Sequence, residues 1–179
     1  MHAIYEWLSG SAGWLTIALL LVITWVCAGL FSARLDALRR TTKIGRDKLL
    51  DGRLWYTKAD VATLFAELGA SGRRLYATTA VTLDVVFPLA YGLLFGLLLV
   101  RLWPPGQAWL LILPLLTVIA DLLENFTIAT MIWTYREGQE PPLAGQAAVL
   151  TLTKWILFAL TLLAVLIGLL RAVPRLGCC

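Results

Sequence analysis

The sequence predicts an all-α integral membrane protein: an antiparallel four-transmembrane-helix bundle with a short amphipathic cytoplasmic helix. Three observations carry this. Of the 179 residues 60% are hydrophobic, the mean hydropathy is +0.81, and only 15% are charged. Soluble domains are about half apolar and a quarter charged, so that class is excluded. Four apolar stretches, at about 14–31, 80–100, 108–133 and 147–170, each reach across a hydrocarbon core of roughly 30 Å at about 1.5 Å per residue. The connections are one sizeable loop and two short turns, so residues 1–179 are read as a single membrane domain.

The first stretch reads as a retained span. Residues 1–13 carry no Lys or Arg, whereas a signal peptide begins with a basic segment. Its 18 residues also exceed a usual signal core. The loop that follows, 32–78, is basic: ten of the fifteen Lys and Arg residues fall between Arg34 and Arg74. Positive-inside bias places that loop in the cytoplasm and both termini outside. Arg171 and Arg175 pull the other way and are outnumbered. The charge points to anionic lipid headgroups as partners, not nucleic acid. Compactness and charge bias suit a bacterial inner membrane.

Within this loop, residues 56–61 (Tyr-Thr-Lys-Ala-Asp-Val) carry a helix start. Thr57 and Asp60 match an acidic capping box, and Tyr56 is placed to staple onto Val61. Val61, Leu64, Phe65 and Leu68 then repeat at helical spacing, and Gly69 supplies a stop. Such a helix either lies on the membrane surface or covers the cytoplasmic mouth of the bundle, with Trp55 and Tyr56 as interfacial anchors.

The second span contains Gly92-x-x-x-Gly96, a spacing that permits close helix approach within one chain or in a homo-oligomer. The stiff turn Trp103-Pro104-Pro105-Gly106 predicts antiparallel neighbours, as does Pro141-Pro142 before the fourth span. Cys27 reads as a small buried hydrophobe. Cys178 and Cys179 fall on the outer side, away from cytosolic lipidation. Three cysteines form no disulfide framework.

Ionisable residues inside the spans carry the functional signal. Asp84, Asp121, Glu124 and Lys154 each cost about 2.5–3.5 kcal/mol in lipid, on the order of 10 kcal/mol together. Counting about 1.5 Å per residue from the cytoplasmic ends brings all four to one layer in that half of the bundle. Thr24 falls near the same level. Asp121, Glu124 and Asn125 share a helix face, as do Asp84, Pro88 and Tyr91. Pro88 cannot donate to the Asp84 carbonyl, which predicts a kink and a released acceptor beside a carboxylate. Lys154, Trp155 and Phe158 set a cation beside an aromatic wall.

The candidate ligand-binding residues are therefore Asp84, Tyr91, Asp121, Glu124, Asn125 and Lys154. Crowded carboxyls with one Lys suit a cationic or amine-bearing ligand, headgroup recognition, proton binding, or general acid catalysis on a lipid-soluble substrate. The favoured function is binding or processing of a small amphiphilic, lipid-like molecule. A structural or assembly subunit whose buried ion pairs only set helix register is the alternative, and a small proton-coupled transporter is a third. No catalytic residue, cofactor or metal site is assigned. The one histidine, His2, precedes the spans, and no Cys-x-x-Cys, G-x-S-x-G, H-E-x-x-H or P-loop occurs. Lys154 would compete with any cation held by the three carboxylates.

Overall fold

The computed structural model describes residues 1–42, 44 and 49–176, the last four as backbone only. Lys43, Arg46, Lys48, Cys178 and Cys179 lie outside the described residues. All regular structure among the described residues is helical: α1 (His2–Ser11), α2 (Trp14–Thr42), a 3-10 turn at Leu50–Gly52, α3 (Lys58–Ala80) and α4 (Leu83–Leu102). A second 3-10 segment at Pro105–Leu111 leads into α5 (Ile112–Thr134) and α6 (Ala144–Leu176). Among the described residues, four stretches are long and apolar enough to cross a membrane: Trp14–Thr42, Lys58–Leu102, Pro105–Thr134 and Ala144–Ala172. Their outer faces are apolar, with Trp25 78% and Leu15 75% exposed. Water penalises such a surface, whereas lipid does not.

Several boundaries differ from the sequence reading. The first span continues into the expected loop as helix as far as Thr42. Residues 34–40 are mostly Ala, Leu and Arg, which are good helix formers, and Arg39 and Arg40 complement the negative end of the helix dipole. Residues 108–111 are 3-10 rather than α-helical. Pro114 has no N–H to donate to Leu110, so an α-helical turn there would lack one hydrogen bond. The segment ahead of the first span forms α1 and buries Tyr5 and Leu8.

Two apolar clusters occupy opposite ends of the fold. One joins α1, the end of α4, the Pro105–Leu111 segment and Ala164 and Val165 of α6. There the Tyr5 hydroxyl reaches the carbonyls of Val100 and Trp103 at 3.2 and 2.9 Å, and Trp103 Nε1 donates to the Ala164 carbonyl. The other cluster joins α3 to the end of α5 and the start of α6, through Val61, Phe65, Ile128, Met131, Ala144 and Ala148. Along α5 and α6, Thr117 lies 3.4 Å from Thr161, and Glu124 contacts Thr151 and Lys154.

α3 begins with the expected capping box: Thr57 Oγ1 accepts from the Asp60 N–H, and Asp60 accepts from the Thr57 N–H. Val61, Leu64, Phe65 and Leu68 are all buried in the protein core. Gly69 has φ +61°, and the helix breaks and restarts there. The break frees carbonyls of the preceding turn, and Arg73 Nη1 donates to that of Phe65 at 2.7 Å. Arg73 also stacks on Tyr135 and approaches Glu137 at 3.8 Å. Trp55 is exposed, as an interfacial anchor requires, whereas Tyr56 is buried and serves inside the protein.

Gly92 explains the close passage of α4 and α5, since a Cβ there would run into the Val118 side chain. Gly96 faces Leu8 of α1, so both glycines of the spacing are used within this chain. Substituting Gly92→Val should overpack this contact and lower stability by about 1–3 kcal/mol. Gly106→Ala, where nothing lies within 4 Å, should be nearly neutral. Thermal unfolding in detergent checks the pair, and equal midpoints would remove Gly92 from the packing argument.

Candidate functional site

All six residues singled out from the sequence meet in one place. Lys154 Nζ lies 2.5 Å from Glu124 Oε2 and 3.5 Å from Asp121 Oδ1. The Tyr91 hydroxyl donates to Asp121 Oδ2 at 2.7 Å. Asn125 Nδ2 donates to Asp121 Oδ1 at 3.2 Å and to the Asp84 carbonyl at 2.7 Å. That carbonyl is the acceptor Pro88 leaves without its helical donor, so the proline on α4 and the amide on α5 form a matched pair. α4 nevertheless runs as one helix through Pro88.

Local structure positions each group. Asp121, Glu124 and Asn125 project from one face of α5, and all three are buried. Asp84 lies in the first turn of α4, where backbone N–H groups favour a carboxylate. Lys154 is buried and lies over the Trp155 ring at 5.6 Å from its centroid. Its ammonium bridges Asp121 and Glu124, the place a shared cation would take. Carboxylates left this deep without a partner would be far costlier than the same groups clasped by an ammonium.

Residues beyond the predicted set complete the network. Thr151, one turn before Lys154, donates to Glu124 Oε1 at 2.5 Å. The Tyr56 hydroxyl lies 3.1 Å from Thr151 Oγ1, which ties the segment before α3 to the buried cluster. Burial raises the pKa of the Tyr56 phenol well above its usual value, so it stays a neutral hydroxyl. Thr24 takes no part, because it bonds the Leu20 carbonyl of its own helix. Nor does Arg73 reach Asp84, being engaged at the α3 break.

Beside this network is a cavity of about 450 Å³. Four of the six candidates line it: Asp84, Tyr91, Asp121 and Lys154. Glu124 and Asn125 stand behind them. Phe31 and Leu35 of α2, Phe87 of α4, and Trp155 and Phe158 of α6 also line the space. Asp51 reaches the cavity from the 3-10 turn. The Tyr76 hydroxyl donates to its carboxylate at 2.7 Å, and Trp155 Nε1 to its carbonyl at 3.3 Å. The aromatic wall is continuous, with Tyr91 edge-on to Phe158 at 5.6 Å and Trp155 edge-on to Phe158 at 5.9 Å.

Sequence reasoning had no means to find Asp51, Thr151 or Tyr56. Asp51 lies in a polar loop segment, Thr151 is one of many threonines, and Tyr56 reads equally well as an interfacial aromatic. Only Thr151 left a trace, three residues before Lys154 on the same helix face. Set against known proteins, the chain matches no family model, no curated protein and no solved structure.

Removing one partner of a buried pair strands the other's charge. Lys154→Met should therefore cost about 3–5 kcal/mol of stability. Adding Glu124→Gln should recover part of that loss, since Asp121 keeps Tyr91 and Asn125. Unfolding of both variants in the same detergent tests the clasp; a double mutant no more stable than Lys154→Met contradicts it.

Proposed function

We propose that this chain is a four-span membrane protein that holds one small amphiphilic molecule in the cavity between α2 and α6. The observation that carries the proposal is the joining of two chemistries on one void. A cluster of ionisable side chains and a continuous aromatic wall line the same space of about 450 Å³, within the size range of small-molecule sites. In this reading Asp84 and Asp121 meet the polar group, Lys154 and Tyr91 fix Asp121, and the aromatic wall takes the start of the apolar part. Glu124, Asn125 and Thr151 hold the first group in place from behind.

The opposed pairs along α5 and α6, together with the two tight turns, support an antiparallel bundle. The basic segments at the end of α2 and the start of α3 support a cytoplasmic placement for that side, with the termini outside. α3, amphipathic along its first three turns, then covers the cytoplasmic mouth. Phe31 and Leu35 of α2 line the cavity, and α2's apolar window is only 11% buried. A lipid-soluble molecule then has a lateral route from the bilayer.

A purely structural network is favoured by one observation of its own. Glu124 is fully buried behind the cavity, clasped by Lys154 and Thr151. The inner half of the cluster thus specifies helix register, and the ligand role falls to the outer half.

Native mass spectrometry of the protein extracted with its own lipids separates the two. A discrete bound mass is expected in the wild type and in Gly106→Ala, and its loss in folded Asp121→Asn. Wild-type protein free of any stoichiometric adduct would sink the ligand-binding reading and leave the structural one.

A further inference from the structure

We propose that the molecule held in this cavity carries a cationic, amine-type headgroup. The inference rests on the amphiphile-binding reading and assigns it a chemical class. Three carboxylates line the cavity, those of Asp51, Asp84 and Asp121, and a fourth, Glu124, stands directly behind. Lys154, the one lining cation among the described residues, already faces two of them, Glu124 at 2.5 Å and Asp121 at 3.5 Å. A phosphate or carboxylate headgroup would find that ammonium doubly engaged and would gain no positive charge from Asp51 or Asp84.

The walls point the same way. Phe31, Phe87, Tyr91, Trp155 and Phe158 surround the space. Aromatic faces beside carboxylates are the combination that holds organic ammonium groups, because ring quadrupoles attract a cation without demanding hydrogen bonds. Trp155 already serves one cation in this way, with Lys154 Nζ at 5.6 Å from its ring centroid. A neutral sugar or hydroxyl headgroup would instead need several directed donors and acceptors, and the aromatic part of the lining supplies few.

The dimensions fit an amphiphile rather than a free amine. Asp84 and Tyr91 are seven residues apart on α4, roughly 10 Å along the axis. An ammonium beside Asp51 and Asp84 therefore leaves its first methylenes along Tyr91 and Phe158. Phe31 and Leu35 carry the lining on to α2, whose apolar window is only 11% buried.

The test uses the full chain in lipid nanodiscs and three probes sharing an octyl tail: octyltrimethylammonium, octyl glucoside and octyl phosphate. Affinities are read by native mass spectrometry. The cationic probe is expected to bind the wild type at least tenfold more tightly than either other probe. Asp84→Asn and Phe158→Leu should each erase most of that preference, and Glu140→Gln, a charge loss on an exposed turn, should leave it intact. The aromatic variant keeps the test informative if Asp84→Asn does not fold. Equal binding of the cationic and glucoside probes, lost together on Asp121→Asn, would overturn the headgroup assignment and leave the amphiphile site standing. Tighter binding of octyl phosphate would overturn the assignment in favour of an anion. Failure of all three probes to bind would overturn the amphiphile reading itself.

Discussion

Lys154 lies within 2.5 Å of Glu124 and 3.5 Å of Asp121, and most of the interior polar contacts can be traced outward from that clasp. Asp121 is held in turn by Tyr91 of α4 and Asn125 of its own helix, and Glu124 by Thr151 of α6. Thr151 passes the chain on to Tyr56, ahead of α3. Charges removed from water lose solvation worth several kcal/mol each, and only close opposite charge and directed hydrogen bonds offset it. Once Lys154 is placed, its neighbours have little freedom. The clasp joins α5 to α6, and its surrounding bonds tie α4 and the α3 entry to the same cluster.

The α4–α5 contact answers to the same constraint from the backbone side. Pro88 removes a helical hydrogen bond and exposes the Asp84 carbonyl, a group that costs free energy when buried unpaired. Asn125 satisfies it with one amide hydrogen while turning the other toward Asp121. Two turns from Asp84, Gly92 lets Val118 approach the α4 backbone closely enough for that amide to reach. A proline, an asparagine and a glycine thus act as one device, holding α4 at the distance the network needs. The side of the network facing α2 is not closed in this way, and the cavity lies there.

At the other side of the clasp, α3 packs on the end of α5 and the start of α6. Its break at Gly69 turns the chain, and Arg73 quiets the freed Phe65 carbonyl while lying against Tyr135. The bend allows the first turns of α3 to bury Val61 and Phe65 against the ends of α5 and α6, while the second part leads directly into α4. The 3-10 turn carrying Asp51 is fastened by Tyr76 and Trp155.

Much of this was legible in the sequence, for definite reasons. Long apolar runs announce spans because backbone groups in lipid must be satisfied within the segment, which leaves helix as the economical choice. The Thr57–Asp60 capping box and the Gly69 stop are local, so they were readable at their positions. The four charges inside long apolar stretches stood out because their transfer cost into lipid makes them rare there. Their coming together also followed from simple depth counting.

Helix α1 was overlooked although Tyr5, Leu8 and Ala12 share a face, because so short a segment gains its helicity mainly from packing onto α4 and the Pro105–Leu111 segment. By itself the sequence determined the helical class, the number of apolar crossings and the identity of the buried charges, all set by local composition and transfer energy. Only the tertiary structure decided that Lys154 takes both Glu124 and Asp121, that Tyr56 turns inward, and that Asp51 joins the cavity. Those outcomes depend on distances between helices remote in sequence, and no spacing along one helix encodes them.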